Sequence, residues 1–180
     1  MQIAHEVGFK RVIRYALFTI WQFIFDLLPF SPLRIWWMRL WGANISANTV
    51  IDKIDFINLD RTGLIGLTIG SRCFLGRDVM LDLAGKITLE DWVTVSPRTI
   101  ILSHLNVGFR NHPLLKPYPP QVNSTRIKAG CFIGTNSTLL GGISIGEASL
   151  IGAGSVVTRN IPAHSLAVGC PALIKKALTS

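Results

Sequence analysis

The sequence predicts an all-β repeat fold, a parallel β-helix built from triangular coils, and three observations support this. Aliphatic residues recur every six positions in two blocks, small residues follow them at fixed spacings, and one non-repeating segment separates the blocks. The 180 residues suit one domain with an appendage. With 49% hydrophobic and 16% charged residues, the chain is also too apolar to remain disordered.

The repeat is clearest from residue 127 onward, where all six positions in the frame are aliphatic: Ile127, Ile133, Leu139, Ile145, Ile151 and Val157. Between residues 45 and 99, eight of ten such positions are aliphatic, with Gly63 and Thr99 as exceptions: Ile45, Ile51, Ile57, Ile69, Leu75, Leu81, Ile87 and Val93. A period of six excludes an amphipathic helix, which needs about 3.6, and suits a short strand followed by a corner. Three strands then close a coil of about 18 residues, and successive coils stack at about 4.8 Å.

Small residues mark the corners of the predicted coils. In the second block glycine follows the aliphatic position at three places, and in both blocks a small residue often stands four positions after it, as at Cys73 and Cys131. We interpret these two cysteines as small core residues and not as nucleophiles. Three cysteines cannot make a disulfide framework, and an odd number favours a reducing compartment.

The two blocks are out of frame with each other, because the interval from position 99 to position 127 is not a multiple of six. This predicts an inserted loop at about residues 103–126. The sequence thus divides into an apolar and basic N-terminal helical segment, residues 1–42, and a repeat domain, residues 43–180.

The N-terminal segment has the composition of a helix that lies at a membrane surface. An apolar run from Tyr15 to Phe30 is too short to span a bilayer, and Pro29 and Pro32 interrupt it before a second run. Four of the five tryptophans and five basic residues lie in this segment: Trp21, Trp36, Trp37, Trp41, Lys10, Arg11, Arg14, Arg34 and Arg39. We expect two short amphipathic helices over residues 10–41, with peripheral membrane contact. The alternative is that they only cap one end of the β-helix.

Charge is unevenly distributed along the chain. The net charge is +8, and residues 103–180 alone carry seven basic side chains against one acidic. This excess predicts an anionic partner bound by the last third of the chain. A basic nucleic-acid arm is not expected, because the N-terminal segment is too apolar, so no nucleic acid is predicted as a partner.

The C-terminal sequence carries a family resemblance. The stretch Ile145-Gly-Glu-Ala-Ser-Leu-Ile-Gly-Ala-Gly-Ser-Val-Val-Thr-Arg-Asn-Ile-Pro162, continued by Val168-Gly-Cys-Pro-Ala-Leu-Ile-Lys-Lys176, is similar to the signature of galactoside, maltose and polysaccharide O-acetyltransferases. Over residues 45–176 the chain resembles the hexapeptide-repeat acyltransferases. The resemblance implies a left-handed β-helix with a short C-terminal helix and a homotrimer. It also implies acetyl transfer from acetyl-CoA, the donor substrate, to a hydroxyl of a sugar or lipid-linked glycan. Polysaccharide biosynthesis on the inner, cytoplasmic face of a membrane fits these features.

Transfer from a thioester to a hydroxyl needs a base, and histidine serves best near neutral pH. The family places its catalytic histidine where the first repeat block enters the loop, which assigns the role to His104 in Ile100-Ile-Leu-Ser-His104. His112, within the loop, is the alternative base. Asp82 precedes His104 by slightly more than one predicted coil. It is interpreted as lining the acceptor site, as orienting the histidine, or as a corner residue.

The resemblance also assigns a binding site for acyl-CoA. Thr135 would meet the thiol end, Ala153, Thr158 and Arg159 would line the pantetheine arm and nucleotide, and Lys176 would meet a phosphate. No metal is expected, because His104 and His112 have no third ligand nearby. The competing interpretation is a non-catalytic hexapeptide-repeat scaffold or glycan-binding module.

Overall fold

Three sheets, parallel except for the last strand of one, form the sides of a triangular β-helix of five coils. The structure is a computed structural model that describes residues 9–108 and 111–178. Face A consists of β1 (Asn44–Ile45), β4 (Leu67–Ile69), β7 (Ile87–Leu89), β12 (Thr125–Ile127) and β15 (Ser144–Ile145). Face B consists of β2 (Val50–Ile51), β5 (Phe74–Leu75), β8 (Thr94–Val95), β13 (Phe132–Ile133), β16 (Leu150–Ile151), β18 (Ser165–Val168) and β19 (Leu173–Ala177). Face C consists of β3 (Ile54–Ile57), β6 (Val79–Asp82), β9 (Ile100–Ile101), β14 (Thr138–Leu139) and β17 (Val156–Val157).

One aliphatic side chain per strand points inward and stacks on its equivalents in the next coil. The prediction for the second block is confirmed, since all six of its repeat residues are fully buried. Ile127 pairs with Ile145 and Ile133 with Ile151, so each partner lies three hexapeptides further along the chain, as predicted. Burial of an aliphatic side chain contributes about 1.5–3 kcal/mol, so these stacks supply much of the stability of the coils.

The predicted frame is partly wrong in the first block. Ile69 pairs with Leu89, whereas the period predicts Ile87 as its partner, so this coil is longer than three hexapeptides. Ile87 and Val93 are buried but lie at other positions, Val93 at the corner where other coils have Cys73 and Cys131. In β3, Phe56 and not Ile57 pairs with Leu81. The six-residue spacing still falls on aliphatic residues here because Ile87, the first residue of β7, and Val93 are both buried in the core.

The two interior cysteines are buried, as predicted. The Cys73 thiol donates to the carbonyl of Glu90 at 3.0 Å, and the Cys131 thiol donates to that of Gly146 at 2.9 Å. Burial raises the pKa of both thiols, which keeps them protonated and poorly nucleophilic.

Two segments leave the coils. The predicted loop is confirmed: after β9 the chain forms an antiparallel pair, β10 (His104–Leu105) and β11 (Gln121–Val122), before it re-enters at β12. A second excursion was not predicted. It follows β3 and consists of the short helix α3 (Leu59–Thr62) and a 3-10 turn (Gly63–Gly66).

Two N-terminal helices close the first end of the β-helix. They are α1 (Phe9–Leu27) and α2 (Ser31–Leu40), with Pro32 in the first turn of α2. The predicted break at Pro29 and Pro32 is confirmed, although α1 is longer than expected. The ring of Trp21 packs 5.5 Å from that of Phe56, and Phe25 is also buried there. Neither α1 nor any other helix in the described part of the chain is long and apolar enough to cross a membrane.

The predicted C-terminal helix is wrong. Residues Leu173–Ala177 form β19, which pairs antiparallel with β18. The last coil of a β-helix exposes the unpaired backbone groups of a strand edge, and a returning strand satisfies them. Gly169, with a φ of +103°, lies in the turn that reverses the chain.

Candidate active site

A histidine and an aspartate meet where the inserted loop leaves face C. His104 begins β10, and its Nδ1 lies 2.5 Å from Oδ2 of Asp82, the last residue of β6. Leu81 pairs with Ile101, so the two side chains belong to adjacent coils. The His104 side chain is 20% exposed and that of Asp82 is fully buried. The imidazole is therefore accessible, whereas the carboxylate behind it is sealed from solvent.

Four hydrogen bonds hold the Asp82 carboxylate. Oδ1 accepts from the side chain of Asn58 at 2.8 Å and from the backbone N–H of Ala84 at 3.1 Å. Oδ2 accepts from the backbone N–H of Ser103 at 2.8 Å and from His104. Burial raises the pKa of Asp82, but hydrogen bonds from His104, Ser103, Asn58 and Ala84 outweigh it and hold this pKa below its ordinary value. The carboxylate thus remains ionised at neutral pH.

An ionised Asp82 determines which ring nitrogen of neutral His104 carries the proton. A carboxylate only accepts hydrogen bonds, so Nδ1 must donate to it. Nε2 then carries a lone pair and is available to accept a proton from another group. This arrangement of an oriented imidazole is the one that general-base catalysis requires.

Close packing of the backbone fixes the base of the loop. A Cβ at Gly141 would lie 2.9 Å from the backbone nitrogen of His104, and one at Gly85 would lie 3.0 Å from the carbonyl of Asn123. The hydroxyl of Ser103 donates to the carbonyl of Asp82 at 2.6 Å and accepts from Gly85 N–H at 2.8 Å. Glycine at these positions allows the two coils to approach closely enough to bring His104 onto Asp82.

His112 lies in the loop and makes a local contact. Its Nδ1 accepts a hydrogen bond from the backbone N–H of Leu114 at 3.1 Å, which stabilises a turn. The imidazole is half-buried. Its assignment as an alternative base stays a prediction.

Four of the five predicted donor-site residues lie at the two corners of the β-helix that flank the later strands of face C. Thr135 and Ala153 follow β13 and β16, and the N–H of Gly154 donates to the carbonyl of Thr135 at 2.9 Å. Thr158 and Arg159 follow β17. On face C this strand is separated by β14 from β9, the strand that precedes His104. Lys176 lies in β19 opposite Leu166 and is exposed. The order of strands therefore arranges these residues along the length of the coil stack, and their role in donor binding stays a prediction.

Comparison with known proteins gives the family of the chain. The family described as bacterial transferase hexapeptide (six repeats) matches residues 124–159. WcaF of Escherichia coli K12, a putative colanic acid biosynthesis acetyltransferase, is 30% identical over 143 residues, which cover 78% of this chain and 72% of that protein. The chain belongs to the bacterial transferase hexapeptide family.

Two further similarities bear on this hexapeptide transferase. A serine acetyltransferase of Buchnera aphidicola is 34% identical over 107 residues, which cover 59% of this chain but only 37% of that enzyme. The crystal structure of a hexapeptide-repeat acetyltransferase of Vibrio cholerae, complexed with acetyl coenzyme A, superposes with a TM-score of 0.78. The two sequences are 20% identical, and the superposition covers 97% of this chain and 90% of the Vibrio cholerae chain. The predicted left-handed β-helix fold is thereby confirmed.

The sequence patterns did not identify Asn58 as a residue of the candidate active site. It precedes Asp82 by 24 residues, which is one coil in the structure, but the excursion through α3 makes this coil longer than the repeat predicts. Its φ of 57° is left-handed, a conformation that Asn adopts more readily than most residues. An Asn at the end of a strand, directly before an interruption of the repeat, is the signal that would have found it.

The depressed pKa of Asp82 predicts a pH-dependent stability difference. A group whose pKa is lowered on folding stabilises the protein above its unfolded pKa of about 3.9, and the effect is lost as the pH falls through the lower folded pKa. At pH 7, Asp82→Asn should reduce the free energy of unfolding by about 1.5–3 kcal/mol, since a charged acceptor is lost. Below about pH 4 the difference should shrink. Denaturant titrations at a series of pH values measure it.

Asp55→Asn is the matched control for this measurement. Burial, then Asp26 and Asp78, raise the pKa of Asp55, so its charge opposes folding at neutral pH. Asp55→Asn should leave stability unchanged or increased at pH 7. An Asp82→Asn protein as stable as the wild type at every pH would contradict the account of Asp82.

Proposed function

We propose that this hexapeptide transferase moves an acetyl group from acetyl-CoA to a hydroxyl of a sugar or a lipid-linked glycan. The observation that carries the proposal is the contact between His104 and the buried Asp82 at the base of the inserted loop. The C-terminal similarity to sugar and polysaccharide O-acetyltransferases and the match to WcaF support a glycan acceptor. The acetyl coenzyme A held by the Vibrio cholerae relative supports the donor.

In the proposed reaction, His104 acts as a general base. Nε2 accepts the proton of the acceptor hydroxyl while its oxygen attacks the thioester carbonyl, and the new C–O bond forms. The tetrahedral intermediate collapses with cleavage of the C–S bond, and the imidazolium returns the proton to the departing thiolate. Asp82 stays ionised and stabilises the positive charge on the ring during this cycle. The products are the acetylated acceptor and free CoA thiol, and no atom changes its oxidation state.

The donor would lie along the coil stack beside His104. The close approach of coils at Gly134, where a Cβ would meet the backbone nitrogen of Ala153 at 2.5 Å, leaves a smooth corner for a pantetheine arm. Arg159 and Lys176 are exposed basic residues in the part of the chain that carries seven basic side chains against one acidic. They are suited to bind the phosphates of the nucleotide.

Replacing His104 tests the proposed chemistry. His104→Ala should reduce acetyl transfer by about 10²–10⁴-fold, because general-base catalysis contributes that factor. Release of free thiol from acetyl-CoA with a panel of glycan acceptors measures the rate, and circular dichroism checks that the coils remain folded. His112→Ala is the matched control and should retain transfer. A His104→Ala protein with normal turnover would move the base to another residue.

The same assay separates an enzyme from a non-catalytic glycan-binding module. A module would bind glycans without acceptor-dependent thiol release from acetyl-CoA. Absence of thiol release with every acceptor, together with retained glycan binding, would establish the module as the function.

Substitutions of the residues proposed to bind the phosphates of acetyl-CoA should affect donor binding more than the rate of acetyl transfer. Arg159→Ala and Lys176→Ala should raise the KM for acetyl-CoA, with little change in kcat, because distant phosphates are bound equally in the ground and transition states. Lys116→Ala, an exposed change in the loop, is the control. A fall in kcat with an unchanged KM would show that the donor site is misplaced.

The outward residues of the three faces support a homotrimer. Faces B and C present mostly apolar side chains, whereas face A presents polar ones. The outward residues of faces B and C are Val50, Phe74, Thr94, Phe132, Leu150, Leu166, Asp55, Met80, Ile100, Thr138 and Val156. Packing face B of one chain on face C of the next closes a ring and buries both. Sedimentation equilibrium should give three times the chain mass of 19.8 kDa, and a monomer would contradict the trimer.

Peripheral contact with the cytoplasmic face of a membrane is the second part of the proposal. The exposed surface of α1 and α2 carries large apolar side chains, including Ile20, Phe23, Leu27, Trp36 and Leu40, each more than half exposed. The sequence expectation needs two corrections. Arg34 is 5% exposed and donates to the carbonyls of Leu28 and Ile51, and Trp21 is 1% exposed. Both stabilise the end cap, so neither reaches lipid.

Vesicle binding tests the membrane contact. Trp36→Ser combined with Leu40→Ser should reduce co-sedimentation with anionic vesicles by about tenfold, since apolar burial is worth about 25 cal/mol per Å². Added salt should weaken binding only partly, because the apolar contribution is not screened. Trp92→Ser is the matched control, because Trp92 on the β-helix is 58% exposed and Trp36 is 59% exposed. Equal loss in both variants, or no binding by the wild type, would contradict membrane contact.

A further inference from the structure

A cavity lies between helix α1 and the first coil, next to the candidate active site. Its volume is about 430 Å³, and its walls come from α1 and from β3 with the start of α3. Small-molecule sites usually measure about 300–1,000 Å³, so the cavity can hold a ligand. None of the residues proposed to bind acetyl-CoA lines it.

One part of the cavity wall is aromatic and rigid. Phe18 of α1 and Phe56 of β3 line it. Phe56 is fixed in place by edge-to-face packing on Trp21, 5.5 Å away, and on Phe25, 5.7 Å away. Such a wall binds apolar groups without having to reorganise.

The cavity is continuous with the exposed apolar surface of α1. Tyr15 and Phe23 line the cavity and are 68% and 65% exposed. Ile20 and Leu27, on the same helix, are 58% and 66% exposed. An apolar chain can therefore pass from the outer surface of α1 into the cavity along Tyr15 and Phe23.

The cavity also has an unused hydrogen-bond acceptor. Gln22 lines it, and its Oε1 is buried without a hydrogen-bond partner among the described residues. The amide cannot be turned round, because Nε2 donates to Oδ1 of Asp26 at 3.0 Å and to the carbonyl of Ile54 at 3.3 Å, which are both acceptors. Buried polar atoms are nearly always paired, and this oxygen would be paired by a ligand hydroxyl once the Gln22 side chain shifts to open it to the cavity.

Asn58 connects the cavity to the active site. The residue lines the cavity, and its side chain donates to Oδ1 of Asp82, whose Oδ2 contacts His104. Two hydrogen bonds thus separate the cavity wall from the imidazole. A ligand bound in the cavity with its polar end toward Asn58 would lie on the Asp82 side of the imidazole, two hydrogen bonds from His104.

We propose that this cavity binds an amphiphilic acceptor, a sugar joined to a hydrophobic chain. The chain lies between α1 and β3 against Phe18 and Phe56, and the sugar lies at the end marked by Gln22 and Asn58. This inference rests on the proposed acetyl transfer to a glycan and narrows it to lipid-linked glycans. Free sugars and sugar nucleotides lack the group that the aromatic wall recognises.

Paired acceptors test this inference. Methyl and octyl glycosides of glucose, galactose and mannose are compared as acetyl acceptors, with octyl glycosides kept below their micelle concentration. The octyl glycoside of the accepted sugar should have a KM lower by about tenfold or more, because the chain buries apolar surface, with a similar kcat. Equal KM values for the two glycosides would overturn the inference but leave acetyl transfer to sugars intact.

Two tryptophan substitutions on α1 locate the effect. Thr19 lines the cavity, so Thr19→Trp should fill it and bring the two KM values together. Ala16→Trp places the same side chain on an exposed position of α1 that does not line the cavity, and it should preserve the octyl preference. If both variants keep the preference, or both lose it, the chain binds elsewhere and the inference fails.

A binding measurement keeps the test independent of turnover. Equilibrium dialysis with octyl glucoside should show binding to the wild type and to Ala16→Trp, and binding at least tenfold weaker to Thr19→Trp. This result would support the cavity as an amphiphile site even if no glycoside accepted an acetyl group and the proposed function failed. Equal binding by all three proteins, or none by any, would overturn the inference.

Discussion

Every residue of the candidate site is positioned by the stacking of inward aliphatic side chains from one coil to the next. Each coil presents one such side chain per face, and the backbone pairs only when these side chains are in register. The corners are then fixed as well, because each lies one or two residues from a stacked position. The contact between Asp82 and His104 follows from this register, since Leu81 and Ile101, which precede them, stack directly.

A regular stack alone would not bring His104 to the surface, and the interruptions of the repeat do so. The inserted loop leaves face C after Ile101, which turns His104 outward while Ser103 remains buried. The excursion after β3 brings Asn58 to the other side of the Asp82 carboxylate. The regular coils therefore provide rigidity, and the two departures from regularity bring chemically active side chains to one corner.

The N-terminal helices have two roles at once. Their inner surface buries Trp21, Phe25 and Met38 over the first coil, which would otherwise expose its aliphatic core to water. Their outer surface remains apolar, and the cavity beside Asn58 lies between the helix and the coil. A cap, a proposed membrane contact and a proposed acceptor cavity thus share one helix.

The sequence by itself determined the β-helix, the inserted loop, the helix break near Pro32 and the place of His104 at the start of the loop, because each leaves a periodic or local signal. It did not determine that Asp82 orients the histidine, that Asn58 joins them, or that residues 173–177 form a strand. Each of these depends on contacts between distant coils, and a slightly longer early coil is enough to shift the register that brings those side chains together. Arg34 shows the same limit, because its burial depends on carbonyl groups that only the folded end cap brings within reach.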